Sequence, residues 1–176
     1  MNNLTNYHSH CNFCDGKAPI EDFIKRAVDM GFSSYGVSSH APVPFPNHWT
    51  MKTEDTDAYL AEMNRLKERY SPYIELYTGM EIDYLHETYN AASPFFKELP
   101  LDYRIGSVHI LYSDGKEIDI DCRPEEFEQN VEKYFSGDLQ YVVTEYFDRI
   151  IKMIEIGGFD IIGHTDKITY NASACL

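Results

Sequence analysis

Apolar positions recur at helical spacing in four segments of the chain. In IEDFIKRAVDMG, Ile20, Phe23, Ile24, Ala27 and Val28 fall on one face. Pro19 suits the entry to that helix, Glu21 and Asp22 favour its positive end, and Gly31 supplies a stop. Thr56 to Tyr70 carries a second stripe of Leu60, Met63, Leu66 and Tyr70. Pro124 opens a third helix with Phe127, Val131 and Phe135 inward. TEYFDRIIKMIEIGG forms a fourth, with Phe147, Ile150, Ile151 and Ile154 as the stripe and Gly157 and Gly158 as its end.

Between these helices lie short apolar runs of strand length. They cover Thr5 to His10, FSSYGVSSH, Tyr73 to Ile82, Tyr103 to Ile110, and FDIIGH. Ile105, Ser107 and His109 share one face of the fourth, because strand side chains alternate. The unit helix, glycine, strand, histidine occurs twice, ending at His40 and at His164. Strands alternating with helices predict an α/β fold with parallel strands. In such folds functional residues gather beyond the carboxyl ends of the strands.

That expectation gives the histidines a meaning. The first strand carries His8 and His10, the second ends at His40, the third carries Glu81, the fourth His109 and the fifth His164. Each side chain taken singly has an ordinary explanation as a hydrogen-bonded or surface residue. Metal-capable side chains at five separate strand ends, on one rim, predict a metal site. His48 and His86 fall in loops and are read as surface residues. Imidazoles and carboxylates without thiolates suit Zn, Mn or Fe better than Mg or Ca. The ligands outnumber what one tetrahedral ion needs. Glu81 can bridge two ions, and such pairs clamp a phosphate during in-line displacement.

Composition narrows the picture. With 176 residues, 43% apolar and 14% aromatic, the chain suffices for one domain, residues 1–176. No apolar run spans a bilayer, and the N-terminus lacks a secretion signal, so a cytoplasmic protein is expected. A net charge of −14 argues against nucleic-acid partners. The sequence sets no oligomeric state. Cys11 and Cys14 form a single CxxC without the second pair that a structural zinc knuckle needs, so they read as small buried thiols. Neither a GxSxG elbow nor a GxxxxGK[ST] loop occurs.

HxH, Asp15, SSHAP around His40, GMEID around Glu81, GSVH around His109 and FDIIGH around His164 resemble, in that order, the PHP (polymerase and histidinol phosphatase) family. The wording is most similar to its histidinol-phosphatase branch. The resemblance runs from about Thr5 to Lys167. It implies a distorted (β/α)7 barrel with two or three divalent transition metal ions on its rim. The implied ligands are His8, His10 and Glu81 for one ion, Glu81, His109 and His164 for a second, and Asp15 and His40 for a third. The implied reaction converts L-histidinol phosphate and water to L-histidinol and phosphate in histidine biosynthesis. Lys17, Ser39, Ser107 and Arg123 are the candidates for contact with this small phosphomonoester.

The family's late Asp-x-His pair has no counterpart after His164, because Asp166 is too close and no histidine follows it. The expectation is therefore an incomplete barrel of about five parallel strands, the N-terminal two-thirds of the family's domain, with the last βα units missing. The alternatives are another PHP-type phosphoesterase or an inactive metal-binding fragment. An amidohydrolase, which also opens with HxH, would need a lysine at a strand end, and none is placed there.

Overall fold

A computed structural model describes residues 3–174. Five parallel strands form one sheet in the order β1 (Leu4–Asn6), β2 (Phe32–Val37), β3 (Glu75–Asp83), β4 (Tyr103–Ser107) and β7 (Ile161–Ile162). Between β4 and β7 the chain makes an antiparallel hairpin, β5 (Ile110–Ser113) and β6 (Lys116–Asp119). The helices are α1 (Ile20–Asp29), α2 (Thr56–Tyr70), α3 (Pro94–Glu98), α4 (Pro124–Phe135), α5 (Leu139–Ile156) and α6 (Lys167–Ala174). The sheet curls into part of an α/β barrel; alternating strands and helices predict the parallel α/β fold, and the family resemblance implies the barrel.

Helices α1 and α2 cover the sheet's outer face, burying Ile20, Ile24, Tyr59, Met63 and Leu66 against Val37, Met80 and Ile82. Tyr59 fixes α2 to two strands at once, its hydroxyl lying 2.9 Å from the Val37 carbonyl and 2.8 Å from that of Gly79. On the inner face the Tyr103 side chain covers Gly36 and Gly79, where any Cβ would overlap it. Its hydroxyl donates to the Tyr7 carbonyl at 2.7 Å. A second apolar cluster joins α4, α5 and the hairpin through Phe127, Phe135, Val142, Tyr146 and Ile118.

The stripes read for α2 and α4 are buried as expected, and that of α1 is buried at Ile20, Ile24 and Ala27, with Phe23 and Val28 partly buried against the core. Three readings need correction. First, α5 begins at Leu139 and buries Val142, Tyr146, Ile150 and Met153. Of the expected stripe only Ile150 is inside, while Phe147, Ile151 and Ile154 are exposed. This helix carries two apolar stripes, and the one holding Tyr146 faces the cluster.

Second, the run from Tyr103 to Ile110 is not one strand. Asp83 takes the His109 amide at 2.8 Å, and the His109 carbonyl accepts from Ile120 at 2.9 Å. These bonds turn the chain out of the sheet after Ser107. Third, β1 stops at Asn6 rather than reaching His10, and both histidines lie beyond its paired residues.

Candidate metal centre

Each rim side chain is placed by backbone pairing just outside the regular sheet. Beyond β1, the Ser9 carbonyl accepts from the Ser38 amide at 2.9 Å, and the Ser9 hydroxyl donates to the Gly36 carbonyl at 3.0 Å. With Ser9 held against β2, His8 and His10 both face the opposite way. His40 is registered beside Glu81, because Glu81 donates to the Ser39 carbonyl at 3.1 Å and Ala41 to the Glu81 carbonyl at 2.8 Å. His164 follows β7, where Gly163 donates to the Gly106 carbonyl at 2.8 Å.

Glu81 is the hub, only 1% exposed. Its Oε2 lies 3.0 Å from His8 Nε2, 3.0 Å from His10 Nε2 and 3.3 Å from His40 Nδ1. Its Oε1 lies 3.2 Å from His164 Nε2 and 3.7 Å from His109 Nε2, and accepts from Ser107 Oγ at 2.6 Å. His109 and His164 approach each other at 3.1 Å through Nε2. Asp15 Oδ1 stands 3.2 Å from His10 Nδ1. Four sets bring three donor atoms together within 4.8 Å. They are His8, His10 and Glu81; His10, Asp15 and His40; Glu81, His109 and His164; and His40, Asp83 and His109.

The profile of the PHP domain matches residues 6–174. The chain belongs to the PHP domain family. Sequences from Schizosaccharomyces pombe and Deinococcus radiodurans, provisionally named histidinol-phosphatases, are 28% and 27% identical over 92% and 94% of this chain. The histidinol-phosphatase of Bacillus subtilis is 26% identical over 84% of it. This PHP chain spans 55%, 62% and 58% of the lengths of those three relatives.

Two crystal structures share the fold. A candidate histidinol phosphatase from Listeria monocytogenes superposes with a TM-score of 0.80 at 23% identity, covering 94% of this chain and 68% of that one. The histidinol phosphate phosphatase of Lactococcus lactis, complexed with zinc, L-histidinol and phosphate, gives a TM-score of 0.67 at 19% identity, covering 96% and 60%.

The electrostatics of the PHP site suit cations. Burial pushes the Glu81 carboxyl toward its neutral form, but His10, His164 and His8 outweigh that and hold it well below the usual carboxylate range. Burial holds the His40 ring down to about 2, so it is neutral at working pH. His10 and His109 resist burial. The neighbouring Cys14 and Glu81 raise the first to about 10, and Asp83 raises the second to about 9. Glu81 Oε2 and His40 Nδ1 are buried, and although Oε2 has imidazole nitrogens at 3.0–3.3 Å, neither atom has a partner aligned for a hydrogen bond. An acceptor and a ring nitrogen stranded side by side are matched by a cation that both can ligate. The donor set therefore fits divalent transition metals.

The other sequence candidates separate. Ser39 is fully buried, its hydroxyl 3.0 Å from Cys11 Sγ, and it joins the loops after β1 and β2. Cys11 is buried and Cys14 half-buried, as small thiols. Ser107 is buried against Glu81. Arg123 lines a cleft of about 320 Å³ beside His40 and His109, together with His48, Trp49, Asp119 and Asp121. Lys17 is exposed and does not line that cleft. His48 is exposed, as read, but stands on the cleft wall. Sequence reasoning passed over Trp49, whose ring packs edge-on against His40 at 4.8 Å and His109 at 5.6 Å. It also passed over Asp83, which lies two residues beyond Glu81 and so on the same face of β3.

Proposed function

We propose that this PHP chain carries the metal centre of a phosphomonoester hydrolase of the histidinol-phosphatase type. The reaction is removal of phosphate from L-histidinol phosphate, a step of histidine biosynthesis. One observation carries the reading: both oxygens of a single buried carboxylate, Glu81, face separate sets of imidazoles. That arrangement suits a carboxylate bridging two ions. The names of the curated relatives support the substrate, and the zinc-bound Lactococcus structure supports zinc as the first metal to test.

His8, His10 and Glu81 would hold one ion, Glu81, His109 and His164 a second, and Asp15 and His40 would contribute to a third. Three protein ligands around an ion leave a position open, as catalytic sites require. Divalent ions bound there supply Lewis acidity, activating water and offsetting phosphate charge. The Ser107 hydroxyl, donating to Glu81 Oε1, helps fix the plane of that carboxylate. Trp49 walls the cleft against solvent. Arg123 supplies a fixed positive charge for the phosphate among acidic neighbours.

The test is metal content of the purified chain, followed by phosphate release from histidinol phosphate and a panel of other phosphomonoesters with added Zn²⁺ or Mn²⁺. Metal binding with histidinol phosphate preferred supports the reading. Absence of bound metal would remove the centre itself. Binding without turnover of any ester would leave a metal-binding chain and refute catalysis.

A further inference from the structure

Asp83 sits two residues beyond Glu81 on β3 and is 3% exposed. Its Oδ1 lies 3.0 Å from His109 Nδ1 and its Oδ2 lies 3.1 Å from the same nitrogen. The same Oδ1 accepts the His109 backbone amide at 2.8 Å. One carboxylate thus grips both the ring and the main chain of a histidine that is itself 2% exposed.

We propose that Asp83 is the positioning residue of the metal centre: it fixes the tautomer and tilt of His109, so that Nε2 is presented bare to the ion shared with Glu81 and His164. This rests on His109 being a ligand, as proposed above. The chemistry follows from the ring's two nitrogens. Nδ1 faces only a carboxylate, which accepts and cannot donate, so Nδ1 must carry the proton. A neutral ring with its proton on Nδ1 has its lone pair on Nε2. Nε2 lies 3.1 Å from His164 Nε2 and 3.7 Å from Glu81 Oε1, inside the ligand set. A carboxylate behind the ring also increases its basicity toward a metal.

The same geometry separates this role from that of a ligand. Asp83 belongs to a metal-capable trio with His40 and His109. Yet both its oxygens are directed at His109, and the backbone amide holds one of them in place. As a positioning residue it should leave the number of ions unchanged while altering their affinity.

Asp83→Ala and Asp83→Asn, compared with the unaltered chain, provide the test. The readouts are zinc stoichiometry, zinc affinity by chelator competition, and the ¹⁵N shifts of the His109 ring. Asp83→Ala should lower zinc affinity by about 10–100-fold with the stoichiometry unchanged. Its His109 ring should lose the single-tautomer signature. Asp83→Asn keeps a carbonyl acceptor for Nδ1 and the amide, so it should recover the tautomer and part of the affinity. This variant also covers the case in which Asp83→Ala fails to fold. Loss of one whole ion in either variant would make Asp83 a ligand and overturn the proposal. Unchanged affinity with a lowered metal-free melting temperature would make it merely structural, also overturning it. If the unaltered chain binds no zinc, the metal-centre reading fails first, and the His109 tautomer in metal-free protein, read above pH 9 where the ring is neutral, still decides whether Asp83 sets it.

Discussion

Metal-free protein should lose stability as pH rises from 6.5 to 9, and metal-loaded protein should gain it. The group responsible is His109. Burial disfavours its charged ring, but Asp83 wins and raises it to about 9, from an ordinary value near 6.5. Below 6.5 both folded and unfolded chains hold that proton, so the contribution is complete. Between the two values only the folded chain holds it, and stability falls by about 1.4 kcal/mol per pH unit. Over the whole window the loss is about 3 kcal/mol, large against a typical total of roughly 5–15 kcal/mol.

His10, raised to about 10, adds to the fall, while Cys14 facing it is lowered and works against it. His40 acts on the other flank. Held down to about 2, it leaves the unfolded chain to take up a proton below 6.5, so acid destabilises too. Bound ions require neutral rings, which reverses the alkaline slope. Urea unfolding with chelator, in half-unit pH steps, measures the first slope, and zinc in place of chelator measures the second. Asp83→Asn should flatten the first. A metal-free midpoint that stays level or climbs from pH 7 to 9 would refute the assignment.

Zinc at a hundred times its dissociation constant should stabilise the folded chain by about 2.7 kcal/mol, roughly 5–10 °C in melting temperature. Glu81→Gln, which halves the carboxylate's ligand capacity, should abolish most of that shift in calorimetry. Ile150→Ala should cost about 2–5 kcal/mol because the side chain is buried, whereas Ile151→Lys, at a site 52% exposed, should stay within about 0.5 kcal/mol. Equal losses on denaturation would mean that α5 is rotated from the position described. Asn171 on α6 donates to the Ile120 and Cys122 carbonyls at 2.8 and 3.0 Å, holding the loop that carries Arg123. Asn171→Ala should cost about 1–3 kcal/mol and raise KM more than it lowers kcat, a split that steady-state kinetics would reveal.

Legibility in the sequence followed how many answers a local pattern allowed. Helix α2 has one apolar stripe and polar residues elsewhere, so its limits, Thr56–Tyr70, were readable directly. Helix α5 offers Tyr146 with Ile150 and Met153, but also Phe147 with Ile151 and Ile154. Periodicity cannot rank two stripes of equal spacing, and only the packing of the hairpin and α4 decides. The turn at His109 was hidden for a different reason. It is made by a side chain, Asp83, bonded to a backbone amide 26 residues further along. Asp83 is one of 29 acidic residues, and although it shares a strand face with Glu81, nothing local says which amide it will bond.

The grouping of His40, His109 and His164 was legible because each follows a short run of strand length, whereas Asp15 came only from the family resemblance. What no pattern of alternation contains is the curl that brings those ends together. In a flat sheet with strands roughly 4.8 Å apart, β1 and β7 would stand about 19 Å from each other, four spacings away. The rings of His8, after β1, and His164, after β7, stack with centroids 5.9 Å apart. Only a sheet bent toward a barrel closes that gap. The same bend explains why the shared carboxylate comes from β3. It is the central strand of the five, so Oε2 reaches the histidines of β1 and β2 while Oε1 reaches those of β4 and β7. A carboxylate on either edge strand would face one set and miss the other. The two-sided approach of imidazoles to Glu81 therefore depends on the order of the strands as much as on the identity of residue 81.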